Sequence, residues 1–356
     1  MRFAGYTGQR QHFESRGFAF TVLERANAAY RVDEPPERVM AALVEGVWAS
    51  PEHLADVADL SADQPYDALV VDCTMFGVLA AAENATTPTA VLVHSAPGAI
   101  LPPHGWGESM MLGAVNQMRQ TAGLPDVDTG WATWTPFPVL ATSIRDLDPL
   151  AAQAPASFGY VGPVSERTRP SGDALPWQPG DRRPLVVASF STGYAWDQRS
   201  RIERTLHALA DGDGYRVLAL TAMADTAGLD VPPNAALRTY LPHTEVLPEA
   251  AVVVTHAGHG TVTAALAHGV PLVCLPNPAA DQPALAARVA ALGAGIALDG
   301  ETATADEIGA AVHTVGTDPS YRAAAEKLAA AIAGAPGAAG AADTLEHLAA
   351  TRDRGD

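Results

Sequence analysis

The sequence concentrates anion-binding groups at one point, the stretch Thr255-His256-Ala257-Gly258-His259-Gly260. A run of β-branched residues stops there, and an Ala-rich helical pattern starts at once. Gly258 and Gly260 carry no Cβ atom, so a ligand can approach the main chain, and the free N–H groups of the first helical turn point at it. Thr261 adds a hydroxyl in that turn. The pattern predicts a site for a phosphate-like anion, with His256 as a further hydrogen-bond donor.

A helix end alone is too weak to hold such a ligand. It contributes roughly 0.3–1 kcal/mol toward an anion, and up to about 2 kcal/mol when it is partly buried. A second interpretation therefore stays open at this point, in which the glycines only permit a tight turn and His256 is a core histidine with its hydrogen bonds satisfied. The end of the same helix is marked by Gly269, with Pro271 two residues later.

Three other stretches place polar or aromatic residues where strands end or helices begin. Ser191 and Thr192 offer hydroxyls after an apolar run, and Tyr240 offers an aromatic face after another. Asp281 and Gln282 put a carboxylate beside an amide at a helix start. Taken singly, Asp281 is typical of a helix cap and Tyr240 of a core residue. Together they predict a stacking surface, phosphate donors and a hydroxyl-binding pair on one rim.

Short apolar runs alternate with helical patterns through the second half. The runs lie at 184–191, 215–222, 235–241, 250–256, 271–276 and 294–298, and helical patterns at 197–210, 260–268 and 281–292. Runs this short and this rich in Val, Leu and Ile are typical of strands buried on both faces. Strand–helix alternation predicts a parallel sheet, and ligands bind beyond the carboxyl ends of its strands.

The first half alternates in the same way. Its apolar runs lie at 17–23, 66–73, 89–95 and 139–143, and its helical stretches at 37–60 and 75–84. A Pro-rich, charged segment then marks a linker. We therefore predict an α/β protein of two Rossmann-like domains, residues 1–160 and 184–356, joined by the linker 161–183, with a ligand-binding cleft between the domains.

Composition narrows the choice of partner. The chain has 22 Lys and Arg against 40 Asp and Glu, a net charge of −18, which opposes binding to nucleic acid or to an anionic membrane surface. No run of about 18 apolar residues predicts a membrane span. Cys73 and Cys274 both lie in apolar runs, which fits a reducing compartment, so we expect a cytoplasmic protein with small-molecule ligands.

Four ordered blocks of the second half, YLPHTEVL, HAGHGT, HGVP and DQ, resemble the family one nucleotide-sugar glycosyltransferases. These are inverting enzymes with two Rossmann-like domains, and the sequence is most similar to their bacterial natural-product branch. A weaker resemblance continues through FGYVGPV at 158–164. It implies the B-type glycosyltransferase architecture and transfer of a sugar from a dTDP- or UDP-sugar to a small apolar natural-product aglycone. No cofactor and no metal are implied.

The resemblance also implies site residues in residues 184–356. The implied donor-binding residues are Ser191, Thr192, Tyr240, Leu241, His243, His256, Gly258, His259, Gly260, Thr261, Asp281 and Gln282. Tyr240 would stack on the nucleobase, and Leu241 would bond to it through its main chain. His256 and the N–H groups of the turn would hold the diphosphate and stabilise charge on the leaving phosphate. The aspartate and the glutamine of DQ would bind sugar hydroxyls.

The first half departs from the family pattern. MRFAGYT and GQRQHFESRGFAF correspond to the family's second strand, the helix after it and its third strand, so the first strand, with the catalytic His on its loop, has no counterpart. His12 is expected at the surface. Asp72 matches the Asp that orients the missing His, and a strand-end cap explains it equally well. We expect a start downstream of the natural one or a truncated relative, which comparison with an N-terminally extended chain would decide.

Residues 1–160 would bind the acceptor. The expected acceptor-binding residues are Met75, Phe76, His94 and Trp106; His94 ends the strand after Asp72 and faces the same cleft. A plain loop-and-helix core explains the region of Trp106 equally well. Two further functions stay open. One is a catalytically weak or inactive nucleotide-sugar-binding auxiliary protein, which the missing base favours. The other is an epimerase on the same fold, for which we find no well-placed pair of carboxylates.

Overall fold

The structure is a computed structural model of the whole chain. It describes residues 1–30, 38–63, 65–164, 177, 180–190, 197–210 and 214–352. The expected donor residues Ser191 and Thr192 lie outside the described residues, as does most of the predicted linker 161–183.

Twelve strands form among the described residues. They are β1 (Arg2–Gly5), β2 (Ala19–Val22), β3 (Leu69–Asp72), β4 (Thr89–Val93), β5 (Val139–Ala141), β6 (Phe158–Tyr160), β7 (Leu185–Ser189), β8 (Arg216–Leu220), β9 (Ala235–Arg238), β10 (Ala250–Thr255), β11 (Leu272–Cys274) and β12 (Gly295–Ala297). Every pair of neighbouring strands is parallel.

Helices connect the strands and complete the chain. They are α1 (Thr7–Glu14), α2 (Glu24–Ala29), α3 (Val39–Leu43), α4 (Glu52–Asp63), α5 (Phe76–Glu83), α6 (Pro97–Ile100), α7 (Trp106–Thr121), α8 (Gln198–Ala208), α9 (His243–Val246), α10 (His259–Ala267), α11 (Gln282–Ala291), α12 (Ala305–Thr317), α13 (Pro319–Ala333) and α14 (Gly337–Arg352). The predicted helical stretch 37–60 is divided into α3, a wider turn at Val44–Trp48 and α4. Pro51 stands before α4, where its missing N–H interrupts no helical bond.

The second-half sheet places the predicted anion site at its centre. Its strand order is β12-β11-β10-β7-β8-β9, so the chain winds outward in both directions from the neighbouring strands β7 and β10. Each of the six predicted strands forms, and Thr255 at the end of β10 pairs with Ser189 at the end of β7. The reversal of strand order opens a crevice beyond those two ends, which is where doubly wound sheets bind ligands.

The first half contains two separate sheets within the described part of the chain. One has the order β3-β4-β5-β6, and β1 and β2 form the other. Asp56 of α4 accepts hydrogen bonds from the main chain of Arg25 and Ala26, and the Tyr6 hydroxyl donates to the Gly46 carbonyl. These bonds join the small sheet to the helices of the first half. The expectation that a first strand and its helix are lacking stays a prediction.

Two elements tie the halves together. Ile144 and Leu147, which follow β5, are buried in the core of the second half. In the other direction, α14 packs Leu345 against Leu140 and Val161 of the first half. The last helix therefore covers the first-half sheet although it follows the second-half sheet in sequence. Among the described residues, every helix is too short or too polar to cross a membrane.

Candidate functional site

The N-terminal turn of α10 presents unbonded N–H groups at the crevice. Gly258 is the residue that precedes the helix, and no side chain caps it. The first helical bond runs from the Val262 N–H to the Gly258 carbonyl, so the N–H groups of His259, Gly260 and Thr261 precede it and have no partner within the helix. Among the described residues outside its own helical turn, nothing lies within 4 Å of the point where a Cβ on Gly260 would stand, which leaves this main chain open to a ligand.

His256 stands beside that turn as a neutral donor. The residue is 7% exposed, and burial lowers its pKa to about 4, against a hydrogen bond to the Ser189 main chain and together with the charge of Arg201. At neutral pH the imidazole is therefore uncharged and has one N–H and one acceptor nitrogen. A Cβ on Gly258 would come within 2.4 Å of the ring Nε2, so the glycine is needed for this ring position. Ala257 between them has a φ of 63°, which fixes the turn in a left-handed conformation.

Two more histidines line the crevice. The ring of His243, at the start of α9, lies with its Nε2 3.3 Å from the Ser189 hydroxyl, and burial lowers its pKa. His259 has a pKa of about 4, lowered by burial and then by the charge of His94. Its Nε2 is buried and has no hydrogen-bond partner in the described part of the chain. An anionic ligand in the crevice would supply the partner that this atom lacks.

Sequence reasoning missed two buried polar residues of α8, Gln198 and Arg201. The side-chain oxygen and nitrogen of Gln198 and the Nε of Arg201 are buried without a partner among the described residues. Arg201 is close enough to His256 for its charge to lower the histidine's pKa. The signal in the sequence was a polar helix start, DQRSR, after the loop that follows a buried strand.

Tyr240 and Leu241 follow β9 and behave differently. The Tyr240 side chain is 65% exposed, so its ring is available for stacking on a base. Leu241 is buried in the second-half core, so only its main chain is available for bonding to a base. The predicted roles of the two residues in base binding stay predictions.

The Asp-Gln pair stands at the start of α11 and contacts the first half. The Ser95 hydroxyl, which directly follows His94, donates to Asp281 Oδ2 at 2.6 Å. Burial raises the pKa of Asp281, and the hydrogen bond from Ser95 partly opposes this rise. The Gln282 side-chain oxygen already accepts from the main-chain N–H and the side-chain amide of Asn277. Its NH₂ group is therefore the part left to donate to a ligand.

Asp72 and His94 meet at the carboxyl ends of β3 and β4. His94 Nδ1 lies 2.8 Å from Asp72 Oδ2, and Asp72 Oδ1 accepts bonds from the main-chain N–H and the hydroxyl of Thr74. Asp72 is thus both a strand-end cap and the partner of a histidine. From the sequence we expected a strand-end cap, or an Asp without its histidine, and the pair with His94 was not predicted.

These two residues and Cys73 form a group that could hold a metal ion. Their ligand atoms lie within 4.8 Å of one another. Metals bind the thiolate form of cysteine, whereas burial raises the pKa of Cys73. A metal ion bound by Nδ1 of His94 would also replace the hydrogen bond between this atom and Asp72. The electrostatics of the group therefore favour a hydrogen-bonded pair.

The expected acceptor residues divide into exposed and buried ones. Trp106 begins α7 with its side chain 69% exposed, and Met75 is half-buried where α5 begins. Phe76 was predicted to touch the acceptor, but its ring is buried in the first-half core, because it lies on the face of α5 that packs inward. Phe76 therefore holds α5 in place. His12 is exposed on α1, as predicted.

The second half is similar in sequence to known proteins. Residues 203–348 match the family model of the erythromycin biosynthesis protein CIII-like C-terminal domain. Demethyllactenocin mycarosyltransferase of Streptomyces fradiae is 34% identical over 192 residues, which cover 53% of this chain and 40% of that protein. The 4'-demethylrebeccamycin synthase of Lentzea aerocolonigenes is 28% identical over 334 residues, 83% of this chain and 77% of that protein. The chain spans about half the length of the first curated relatives it matches.

Solved structures share the fold of the whole chain. The glycotransferase of kitacinnamycin superposes with a TM-score of 0.75 at 21% identity, covering 98% of both chains. The spinosyn rhamnosyltransferase SpnG in complex with thymidine diphosphate gives 0.69 at 20% identity, covering 97% of this chain and all of that one (100%). The fold is therefore the two-domain B-type architecture, as the sequence predicted.

Proposed function

We propose that the chain, which resembles glycosyltransferases of the bacterial natural-product type, transfers a sugar from a nucleotide sugar to a small apolar aglycone. The proposed donor is a dTDP- or UDP-sugar, and the proposed reaction inverts the anomeric carbon. The observation that carries the proposal is the turn at His256 and α10, which stands at the switch point of the sheet with unbonded N–H groups and a neutral imidazole.

The diphosphate would lie at this turn. The N–H groups of His259, Gly260 and Thr261 would donate to its oxygens, and the start of the helix carries a partial positive charge. The His256 imidazole would add an uncharged donor. A hydrogen bond to a charged group is worth about 1.5–3 kcal/mol, so several such donors together supply what the helix end alone lacks. The same donors would stabilise the charge that grows on the leaving phosphate.

The two ends of the donor would be bound by residues on either side. The exposed ring of Tyr240 would stack on the base, an interaction that a tyrosine makes with thymine and uracil alike. Asp281 and the free NH₂ group of Gln282 would bind sugar hydroxyls. A carboxylate whose charge is disfavoured by burial gains from each hydroxyl that donates to it. Ser191 and Thr192, outside the described residues, stay proposed diphosphate ligands.

The solved relative SpnG binds thymidine diphosphate, which supports a dTDP-sugar donor for this chain. For the acceptor, Trp106 provides an exposed aromatic surface and Met75 a half-buried thioether in the first half. Such groups suit a small apolar aglycone. We propose the cytoplasm as the place of action, since both cysteines are free and buried. The chemistry proposed requires no metal and no cofactor.

Calorimetric titration would test the diphosphate site. The ligands would be dTDP, UDP, thymidine and uridine, and the proteins wild type, His256→Ala and, as a control on the far exposed face of α12, His313→Gln. We expect the diphosphates to bind wild type and the control alike, the nucleosides to bind far more weakly, and His256→Ala to lose affinity for the diphosphates. Nucleosides that bind as tightly as diphosphates would contradict the site.

A panel of dTDP- and UDP-sugars, incubated with and without aromatic and macrocyclic aglycones, would test the reaction. We expect transfer from at least one donor, with product detected by mass spectrometry. Donor binding with slow hydrolysis alone, or with no turnover, would instead support the auxiliary nucleotide-sugar-binding protein.

A further inference from the structure

Asp72 and His94 are brought together by strand register. β3 and β4 are neighbours and parallel, with Asp72 paired to Leu92, so residues just beyond the two strands share one edge. The Cys73 N–H donates to the Leu92 carbonyl and continues the ladder past β3. His94 therefore stands beside Asp72 because of the backbone, and the 2.8 Å bond between Nδ1 and Oδ2 follows from that placement.

The carboxylate is fixed before it meets the imidazole. Its Oδ1 is held by the main-chain N–H of Thr74 at 2.9 Å and by the Thr74 hydroxyl at 2.6 Å, which leaves Oδ2 for His94. An Asp held at one oxygen and bonded to Nδ1 with the other fixes both the tautomer and the direction of the imidazole. The proton on Nδ1 then leaves Nε2 as the basic atom.

The His94 ring lies near the proposed donor residues His259 and Asp281, and its Nε2 is the nitrogen not used by Asp72. It has no hydrogen-bond partner in the described part of the chain, and the side chain is 51% exposed. The next residue, Ser95, donates to Asp281, the proposed sugar-binding carboxylate. His94 is also close enough to His259 of α10 and to Asp281 for its charge to shift the pKa of both. The free nitrogen therefore lies at the junction of the acceptor half and the sugar end of the donor.

We propose that His94 is the general base of the transfer reaction and that Asp72 is its positioning residue. The proposal rests on the proposed function and adds a base that the sequence analysis judged to be missing. Nε2 takes the proton of the acceptor hydroxyl as its oxygen forms a bond to the anomeric carbon. The bond from that carbon to the β-phosphate oxygen breaks, and its electron pair leaves with the nucleoside diphosphate. The imidazolium that forms is stabilised by Asp72.

The surroundings of His94 set the direction of its pH dependence. The hydrogen bond to Asp72 raises the pKa of His94, and Cys73 adds to this, whereas burial opposes it. Burial also opposes ionisation of Asp72, but the bonds from His94 and Thr74 outweigh it, so the pKa of Asp72 lies below its ordinary value. The other titratable groups that face His94 are His259 and Asp281. Because the base must be neutral, activity should rise with pH through an apparent pKa above 6.5.

The proposal is tested by substituting each residue of the pair and measuring kcat/KM with acceptors whose hydroxyl groups differ in acidity. The variants are His94→Ala, His94→Gln and Asp72→Asn, with His313→Gln and Asp343→Asn on exposed helix faces as matched controls. The acceptors are phenols whose ring substituents lower the hydroxyl pKa stepwise. Removing a general base costs roughly 10²–10⁴-fold, so kcat/KM for the least acidic phenol should fall by that factor in both His94 variants.

The loss should shrink as the phenol becomes more acidic, because an ionised acceptor needs no base. Asp72→Asn should shift the acidic limb of the pH profile to lower pH, since the histidine loses the carboxylate that raises its pKa. The affinity for dTDP or UDP and the thermal midpoint should stay at wild-type values in all variants, which separates lost chemistry from lost folding.

Different results overturn different statements. Equal losses across all phenols, an unchanged pH profile in Asp72→Asn, or full activity in His94→Ala would overturn the role of His94 while leaving the proposed function in place. A wild-type protein that binds nucleoside diphosphates but transfers to no acceptor would overturn both.

Discussion

A methyl group added at Gly258 tests whether His256 holds the diphosphate. Gly258 has φ −63° and ψ 139°, a conformation open to any residue, so Gly258→Ala brings no backbone strain. Its only cost is steric, because the new Cβ would stand 2.4 Å from His256 Nε2 and 2.9 Å from Cε1. The ring is buried against the turn and must move by several tenths of an ångström. The substitution thus displaces one side chain without removing any group from the site.

The expected loss follows from the bond that the displaced ring cannot make. A hydrogen bond from the imidazole to a phosphate oxygen is worth about 1.5–3 kcal/mol. At about 1.4 kcal/mol per factor of ten, the Kd for dTDP or UDP should rise by about 10- to 150-fold. Forcing a methyl group into this packed turn should also lower the free energy of unfolding by about 1–3 kcal/mol.

A double-mutant cycle makes the prediction specific. In His256→Ala the ring is gone, so Gly258→Ala should then change neither affinity nor stability much, and the two effects should be strongly non-additive. Gly113→Ala in α7 is the matched control, since in the described part of the chain nothing outside its own helix lies within 4 Å of its Cβ position. It should leave nucleotide affinity unchanged. The reasoning fails if titration calorimetry gives wild-type affinity for Gly258→Ala, or if the effects of the two substitutions simply add.

Three further measurements follow from the structure. Tyr240→Ala should weaken dTDP and UDP binding by about 1–3 kcal/mol through lost stacking, whereas Tyr240→Phe should bind normally in the same titration. Asp281→Ala should keep wild-type affinity for the free diphosphate and lose the added affinity that the sugar brings; equal loss for both ligands would refute its role. Burial lowers the pKa of His53 to about 4, so the unfolded chain takes up a proton below about 6.5 that the folded chain refuses. The free energy of unfolding should therefore decrease by roughly 1–3 kcal/mol as the pH falls from 6.5 to 4. In urea unfolding, His53→Gln should show a smaller decrease over this pH range than the wild type.

The strands of the second half were predictable because a parallel sheet with helices on both faces buries both sides of its inner strands. Val252, Val253 and Val254 are all buried, and such continuous apolar runs are visible in sequence. β6 was not predicted, because Phe158-Gly159-Tyr160 is too short and too mixed to stand out. It forms through main-chain pairing with β5, which depends on the neighbour and not on its own composition.

The fold of the turn at the proposed donor site was predictable, and the placement of the proposed acceptor residues only in part. Glycines at a strand-to-helix turn mark a close main-chain approach, so Gly258 and Gly260 could be found from their positions alone. The contact of Asp72 with His94 depends on which strands are neighbours and in what register, and no local pattern records that. The sequence did offer one signal for this contact, because the titratable residues Asp72 and His94 stand at the ends of two consecutive strands. Phe76 was misplaced because the sequence does not show which face of a fully apolar helix turns inward.

The hydrogen bond between Ser95 and Asp281 has a consequence for how the two halves work together. Ser95 directly follows His94, and Asp281 directly precedes α11, so one 2.6 Å bond joins the strand end that carries the proposed base to the helix that carries the proposed sugar ligand. Ala96 and Ala99 pack against Leu285 beside it. A hinge motion that separates the halves would break this bond and remove His94 from the donor at the same moment. If His94 is the base, as proposed, proton abstraction would require the two halves to be in contact at Ser95 and Asp281.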